Sequence, residues 1–361
     1  MNSNNINYDP FIRGPFPVGV SSQDLIDPIR ERKIPIEIWY PATDDYIGKD
    51  LDEKTKDKFR LFGRVKQEAV RNANNREGSF PLVMFSHGFS GHRRQTTHFC
   101  CHLASHGYIV SSPDHLGNTI FEMLENYAFK QKVATPEDLM GIAKSSMIDR
   151  PLDISFIIDR FLAGETSIST SSINTKKICM TGHSFGGWTT LKVCGTDQRI
   201  CGALPLAPAG GEPWLDDIGQ LMFDNLSLKW TRDIPTLYLV AERDSELPLE
   251  SMHDLLSRTQ EPKHMVVLKN ADHFHFCDMA DEIHEFFRTQ GEAVSHDGST
   301  TAEKMRPFSE LCPAIEAYAY LRGLGLAHMD AHLKSKQDAL KLLASDIQAL
   351  MAKRGIAVEV F

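Results

Sequence analysis

The chain reads as an α/β fold, a mostly parallel central sheet flanked by helices. Short β-rich runs alternate with helical stretches along most of its 361 residues, the order that builds a parallel sheet through helical crossovers. Most of these runs are continuous in apolar residues, as strands covered on both faces are. A third observation comes from mid-chain. The apolar run Ile178-Cys179-Met180 leads into Thr181-Gly182-His183-Ser184-Phe185-Gly186-Gly187, a strand entering a tight turn that opens a helix.

Residues 34–40 (Ile-Pro-Ile-Glu-Ile-Trp-Tyr) alternate well enough for an early strand. Residues 44–79 are densely charged with mixed signs and predict a solvated helical insertion, with a cap over the site as its functional alternative. Residues 81–86 form a buried strand ending in His87-Gly88-Phe89-Ser90-Gly91. A helix is expected over 96–105, a strand over 108–112 closing in Pro113-Asp114-His115, and a helix over 151–162. Further strands fall at 177–181, 202–206, 236–240 and 264–268.

Residues 207–233 carry Trp214, Leu215, Leu221, Met222, Phe223 and Trp230 on a polar background. That pattern suits either core packing or a lid-like excursion over a pocket, with Trp214 and Met222 as candidate substrate-binding residues. In the tail, Leu340, Leu343, Ile347, Leu350 and Met351 recur at helical spacing and stop near Gly355. A packing helix is the expectation, and a homodimer is the alternative use of its apolar face. One domain is therefore expected over 1–293, with 294–361 as a C-terminal helical extension packed on it.

Composition excludes several classes. The formal charge of −9, with no basic stripe, argues against a nucleic-acid or anionic-membrane partner. No run approaches the roughly 18 apolar residues of a spanning helix. Residues 1–5 (Met-Asn-Ser-Asn-Asn) lack the basic and apolar regions of a signal peptide. The seven cysteines form an odd set, several inside expected strands or helices. Reduced, buried thiols in a cytoplasmic protein follow.

The Gly-x-Ser-x-Gly turn makes Ser184 a candidate nucleophile, because glycines two residues to either side leave room for a strained backbone. A serine hydroxyl needs a neighbouring base, usually a histidine oriented by a buried carboxylate. In this architecture the acid and the histidine follow in that order, each after a later strand. Asp244 lies just beyond residues 236–240, with Glu242, Glu246 and Asp217 as rival acids. His273 lies just beyond 264–268, with His275 as its rival. In an extended segment residues two apart share a face, so direction does not separate these histidines, and His273 is preferred because it comes first. The oxyanion hole needs two backbone N–H groups, for which Phe185 and Phe89 are the candidates. Phe89 and His115 are also candidate substrate-binding residues, a loop hydrogen bond being the other role for His115. His98, His102 and His106 recur every four residues, yet no acidic partner completes a metal motif, so packing is expected. No metal or cofactor is required.

With these residues in place the chain resembles the α/β-hydrolase superfamily, nearest to its platelet-activating-factor acetylhydrolase and dienelactone-hydrolase-like group. The resemblance is carried by Phe85-Ser86-His87-Gly88-Phe89, Leu103-Ala104-Ser105-His106-Gly107-Tyr108-Ile109-Val110, Asp149-Arg150-Pro151-Leu152-Asp153-Ile154 and Gly182-His183-Ser184-Phe185-Gly186-Gly187. These pieces lie within roughly residues 30–290. The resemblance implies an α/β-hydrolase fold and hydrolysis through an activated nucleophile. Two departures are visible. Dienelactone hydrolases use a cysteine where Ser184 stands. The animal acetylhydrolases place their acid after the strand matching 202–206, where Leu204-Pro205-Leu206-Ala207-Pro208 holds no carboxylate. Asp244 then takes the role, as in bacterial polyester-hydrolase and cutinase-like relatives. The expected activity is hydrolysis of a small or medium, partly apolar carboxylic ester through an acyl-enzyme. An amidase or lactonase on the same triad, a non-catalytic ligand receptor, and a metal-dependent hydrolase using the histidine-rich helix are the rivals.

Overall fold

The computed structural model describes every residue except 1–7, 62, 129, 131, 133, 213–216 and 291–300. Strands β1 (Val18–Asp27) and β2 (Arg32–Pro41) form an antiparallel hairpin. Three short strands follow, β3 (Lys58–Arg60), β4 (Arg64–Lys66) and β5 (Val70–Arg71). Then come β6 (Phe80–Ser86), α1 (Thr97–Ser105), β7 (Ile109–Pro113), the short α2 (Ile120–Met123) and α3 (Pro136–Ala163). The centre is β8 (Ile173–His183), α4 (Phe185–Thr196) and β9 (Ile200–Leu206). After α5 (Asp217–Asp224) come β10 (Thr236–Ala241), α6 (Leu249–Arg258) and β11 (Lys263–Leu268). The remainder is α7 (Ala280–Gln290), α8 (Thr301–Lys304), α9 (Ala314–Leu333), α10 (Gln337–Leu343), α11 (Ile347–Ala352) and β12 (Val358–Val360).

Ten of these strands make one sheet in the order β12-β11-β10-β9-β8-β6-β7-β2-β1-β5. The run from β7 through β6, β8, β9 and β10 to β11 is parallel throughout, and β2 and β12 flank it antiparallel. Strand alternation divides the apolar residues into two cores. Val83, Phe85, Leu237 and Leu239 face α1 and α9, while Leu82, Met84, Tyr238 and Val240 face α3, α4 and α6. All seven expected strands are present.

Several expectations need correction. Residues 44–79 do not form a helical insertion. Their regular structure is a single 3₁₀ turn, the β3–β4 hairpin, and β5 paired to β1 at the far end of the sheet from β8–β11. Nor is the segment freely solvated. Asp57 is buried and accepts from Arg71 and Gln67, and Gln67 accepts from the Trp39 indole at 2.7 Å. Charge density misled because several of these charges are paired inward. The helix expected over 151–162 begins at Pro136, where Thr135 and Asp138 form a capping box, and Pro151 is inside it. The tail is not one helix but two short ones, α10 and α11, broken at 344–346, with β12 joining the main sheet. Within 207–233, Met222, Leu226, Leu228 and Trp230 belong to the core rather than to a mobile lid.

All seven cysteines are free thiols, and only Cys201 is not fully buried. Among the described residues no helix is long and apolar enough to cross a membrane.

Helix α9 is fastened to the sheet by Tyr320, whose hydroxyl donates to the Val266 carbonyl and accepts from the Val240 N–H at 3.2 Å. Replacing Tyr320 by Phe removes both bonds with almost no change of shape. The expected loss is about 1–2 kcal/mol of unfolding free energy, read by urea denaturation. A loss near zero would mean the tether contributes nothing.

Candidate active site

Ser184 sits between β8 and α4 with φ +59° and ψ −117°, a conformation that L-residues avoid. Surrounding bonds hold it. Its N–H donates to Leu206 O at 2.9 Å, and its carbonyl accepts from Trp188 N and Ala209 N. The turn also crosses the end of β6 at backbone contact. A Cβ on Gly186 would stand 1.9 Å from the Ser86 carbonyl oxygen, so only glycine fits there. Helix α4 is buried on nearly every side, which makes the turn rigid. Ser184 itself remains partly exposed.

The acid and base stand at the carboxyl ends of the two strands beyond β9. The Asp244 side chain is buried, and its Oδ2 lies 2.8 Å from Nδ1 of His273. Its other oxygen accepts from the N–H groups of Glu246 and Leu247 at 3.0 and 2.7 Å. With Nδ1 occupied by Asp244, Nε2 of His273 is left without a hydrogen-bond partner among the described residues. His273 in turn lies against the residue preceding Ser184, its ring 4.5 Å from that of His183 and its carbonyl 2.9 Å from His183 Nε2. Ser184, Asp244 and His273 are thus brought to one edge of the sheet.

The rivals separate cleanly. Residues 273–276 form a 3₁₀ turn capped by the Asp272 side chain, so His273 and His275 do not share a face as they would in an extended segment. His275 points the other way, to Cys312 O at 3.0 Å, and stacks on Phe308. Glu242 pairs with Lys269. Asp217 belongs to α5. Glu246 does take part in the site's electrostatics. Burial pulls the His273 imidazole down, but the Asp244, Glu246 and Asp272 carboxylates outweigh it and raise its pKa above the usual 6.5. Burial raises the carboxyl pKa of both Asp244 and Glu246, against the pull of His273.

The loop after β6 lies over Ser184. A Cβ on Gly88 would be 3.4 Å from Cβ of Ser184. Among the described residues the Phe89 N–H makes no hydrogen bond to protein. Phe185 is the first residue of α4, where an N–H has no partner inside the helix. The two phenyl rings stack at 6.2 Å and 11°.

His115 is not a pocket wall. It is buried beneath this loop, with Nδ1 on Asp153 at 3.0 Å and Nε2 on Ser86 Oγ at 2.9 Å, and burial takes its pKa down to about 4. Met222 is likewise buried in the core, its carbonyl accepting from the Trp188 indole. Trp214 lies outside the described residues. His98 stacks on Tyr318, while His102 and His106 bind the carbonyls of Pro10 and Ile12.

Three supporting residues escaped the sequence reading. Gln95 accepts from the Gly88 N–H at 2.9 Å, which orients its amide to donate to His183 Nδ1 at 2.8 Å. Arg150 and Asp153 sit one helical turn apart on α3, the first reaching the carbonyls of His87 and Gly88 and the second His115. Their signal was present in Asp149–Ile154, where i,i+3 spacing puts both on one face.

The sequence profile of the family described as "Platelet-activating factor acetylhydrolase, isoform II" matches residues 31–149. Among curated proteins, the platelet-activating factor acetylhydrolase of Cavia porcellus is 21% identical over 73% of this chain and 67% of its own length. That of Bos taurus is 23% identical over 63% of this chain and 60% of its own length, so the match spans less than two thirds of the second relative. A solved ferulic acid esterase from Streptomyces cinnamoneus covers 89% of this chain and 91% of its own, with a TM-score of 0.60 and 22% identity, which shows the α/β-hydrolase fold. The chain has the α/β-hydrolase fold and, over part of its length, resembles the platelet-activating factor acetylhydrolases; these relatives support an ester-cleaving hydrolase.

Proposed function

We propose that this protein is a serine-dependent carboxylic ester hydrolase that works through an acyl-enzyme. The observation that carries the reading is the Asp244–His273 contact, set beside Ser184 in its strained strand-to-helix turn. Ser184 Oγ attacks the ester carbonyl as His273 Nε2 takes its proton, forming a tetrahedral intermediate. The Phe89 and Phe185 N–H groups receive the oxyanion. Asp244 holds the imidazole tautomer and stabilises the imidazolium. His273 returns the proton to the departing alkoxide, leaving an acyl-serine and a free alcohol. Water then attacks the acyl-serine with His273 as base, releasing the acid and regenerating Ser184.

The half-buried Phe89 ring, stacked on the buried Phe185 ring, gives an apolar surface beside Ser184 and favours a compact, partly apolar acyl group. The name of the curated relatives, platelet-activating factor acetylhydrolase, points the same way. A cytoplasmic setting remains part of this proposal.

On p-nitrophenyl esters from acetate to palmitate, activity is expected to peak at short chains. Ser184→Ala is expected to lower kcat by about 10⁴-fold or more without unfolding the protein. Retained turnover in that variant would remove Ser184 from the mechanism.

His273 accepts a proton only when neutral, so kcat/KM rises with pH through its pKa. Because that pKa is raised, the acid limb is expected to have its midpoint above 6.5. Glu246→Gln removes one of the carboxylates that raise it and is expected to move the midpoint to lower pH, the alkaline plateau persisting. An unmoved midpoint would show that Glu246 does not act on His273.

A further inference from the structure

The motif Asp149–Ile154 is not used by the chemistry just described, yet its arginine is among the largest fully buried side chains. Among the described residues no carboxylate lies within ion-pair distance of Arg150. Its bonds go elsewhere. Nη1 donates to the His87 carbonyl, and Nη2 donates to the Gly88 carbonyl at 2.9 Å and to Asn118 Oδ1. Its guanidinium carbon lies over the Phe185 ring, 4.3 Å from the centroid. A buried cation spent on main-chain carbonyls is costly unless the geometry it imposes is needed.

The geometry in question is that of one peptide group. A trans peptide points its carbonyl and its N–H in opposite directions. The Gly88 carbonyl is held from two sides, by Arg150 and by His87 Nδ1 at 2.8 Å. The His115 N–H donates to His87 Nε2, so the His87 proton is on Nδ1 and faces Gly88. With the carbonyl locked, the Phe89 N–H of the same peptide is turned away from Arg150. Gly88 itself lies against Ser184.

We propose that Arg150 is a positioning residue of the oxyanion hole, holding the Gly88–Phe89 peptide so that its N–H faces the carbonyl attacked by Ser184. Its contact with the Phe185 ring steadies the second donor from the same side. Asn118 seats the guanidinium and also accepts from the Ser90 N–H at 3.2 Å, tying down the next residue of the loop. The proposal rests on the reading of Ser184 as nucleophile.

Both are tested in one series. A fluorophosphonate probe is applied first to the wild type, which is expected to be labelled at Ser184. Absence of label there overturns the nucleophile, and the role of Arg150 with it. Arg150→Met and Arg150→Lys are then compared with wild type on p-nitrophenyl acetate and against a trifluoromethyl ketone, whose serine adduct carries an oxyanion. Arg150→Met is expected to lose about tenfold or more in kcat with KM within about twofold. Its inhibition constant should rise by the same factor, and Arg150→Lys should recover part of both. Labelled, folded variants with wild-type kcat and inhibition would overturn the proposal alone. So would a kcat loss with no matching loss of inhibitor affinity, the mark of a merely structural role. Should Arg150→Met fail to fold, Asn118→Ala carries the test, with a smaller but equally matched loss expected in both readouts.

Discussion

Everything at this site depends on one backbone-to-backbone crossing. The turn after β8 passes the end of β6 so closely that the Ser86 carbonyl occupies the space where a side chain on Gly186 would be. That crossing presents Ser184 at the sheet's edge with a positive φ, and it brings the loop after β6 over the same residue. Ser184 and the loop proposed to receive the oxyanion are thus set by a single contact between neighbouring parallel strands, β6 and β8. Loosening it would displace both at once.

Around this rigid centre the charges divide by side. Towards β10 and β11 the field is negative, with Asp244, Glu246 and Asp272 around His273. Towards α3 it is positive, with Arg150 under the loop after β6; burial takes that guanidinium down to about 9, so it stays charged at neutral pH. An imidazolium forming on one side and an oxyanion on the other would each meet the opposite sign. Neutral buried histidines lie between. Burial holds His87 and His183 well below the usual imidazole range, so they act as fixed hydrogen-bonding spacers rather than as charges.

The parallel strands and the three triad candidates were legible in sequence, because they depend on local patterns: apolar runs, a glycine-bracketed turn, and polar residues just past strand ends. What depended on partners distant in the chain was not. The preference for His273 over His275 rested on order alone; the reason is a 3₁₀ turn that aims them apart. The charged stretch 44–79 looked solvated because nothing local reveals that Asp57 pairs inward with Arg71 and Gln67. His115 looked available because its two partners, Ser86 and Asp153, lie 29 and 38 residues away. Arg150 was visible only as part of a resemblance, since a surface arginine and a buried one read alike until the loop they hold is known.

The pairing of β11 with β12 has a consequence for biosynthesis. β11 ends at Leu268, and its outer neighbour begins only at Val358. While the intervening residues are being made, the strand that leads to His273 presents an open edge with Met265, Val266, Val267 and Leu268 along it. Unpaired apolar edges recruit other chains. A nascent polypeptide stalled before residue 358 therefore carries an almost finished sheet with a sticky border, and chaperone demand should concentrate in that late window of translation.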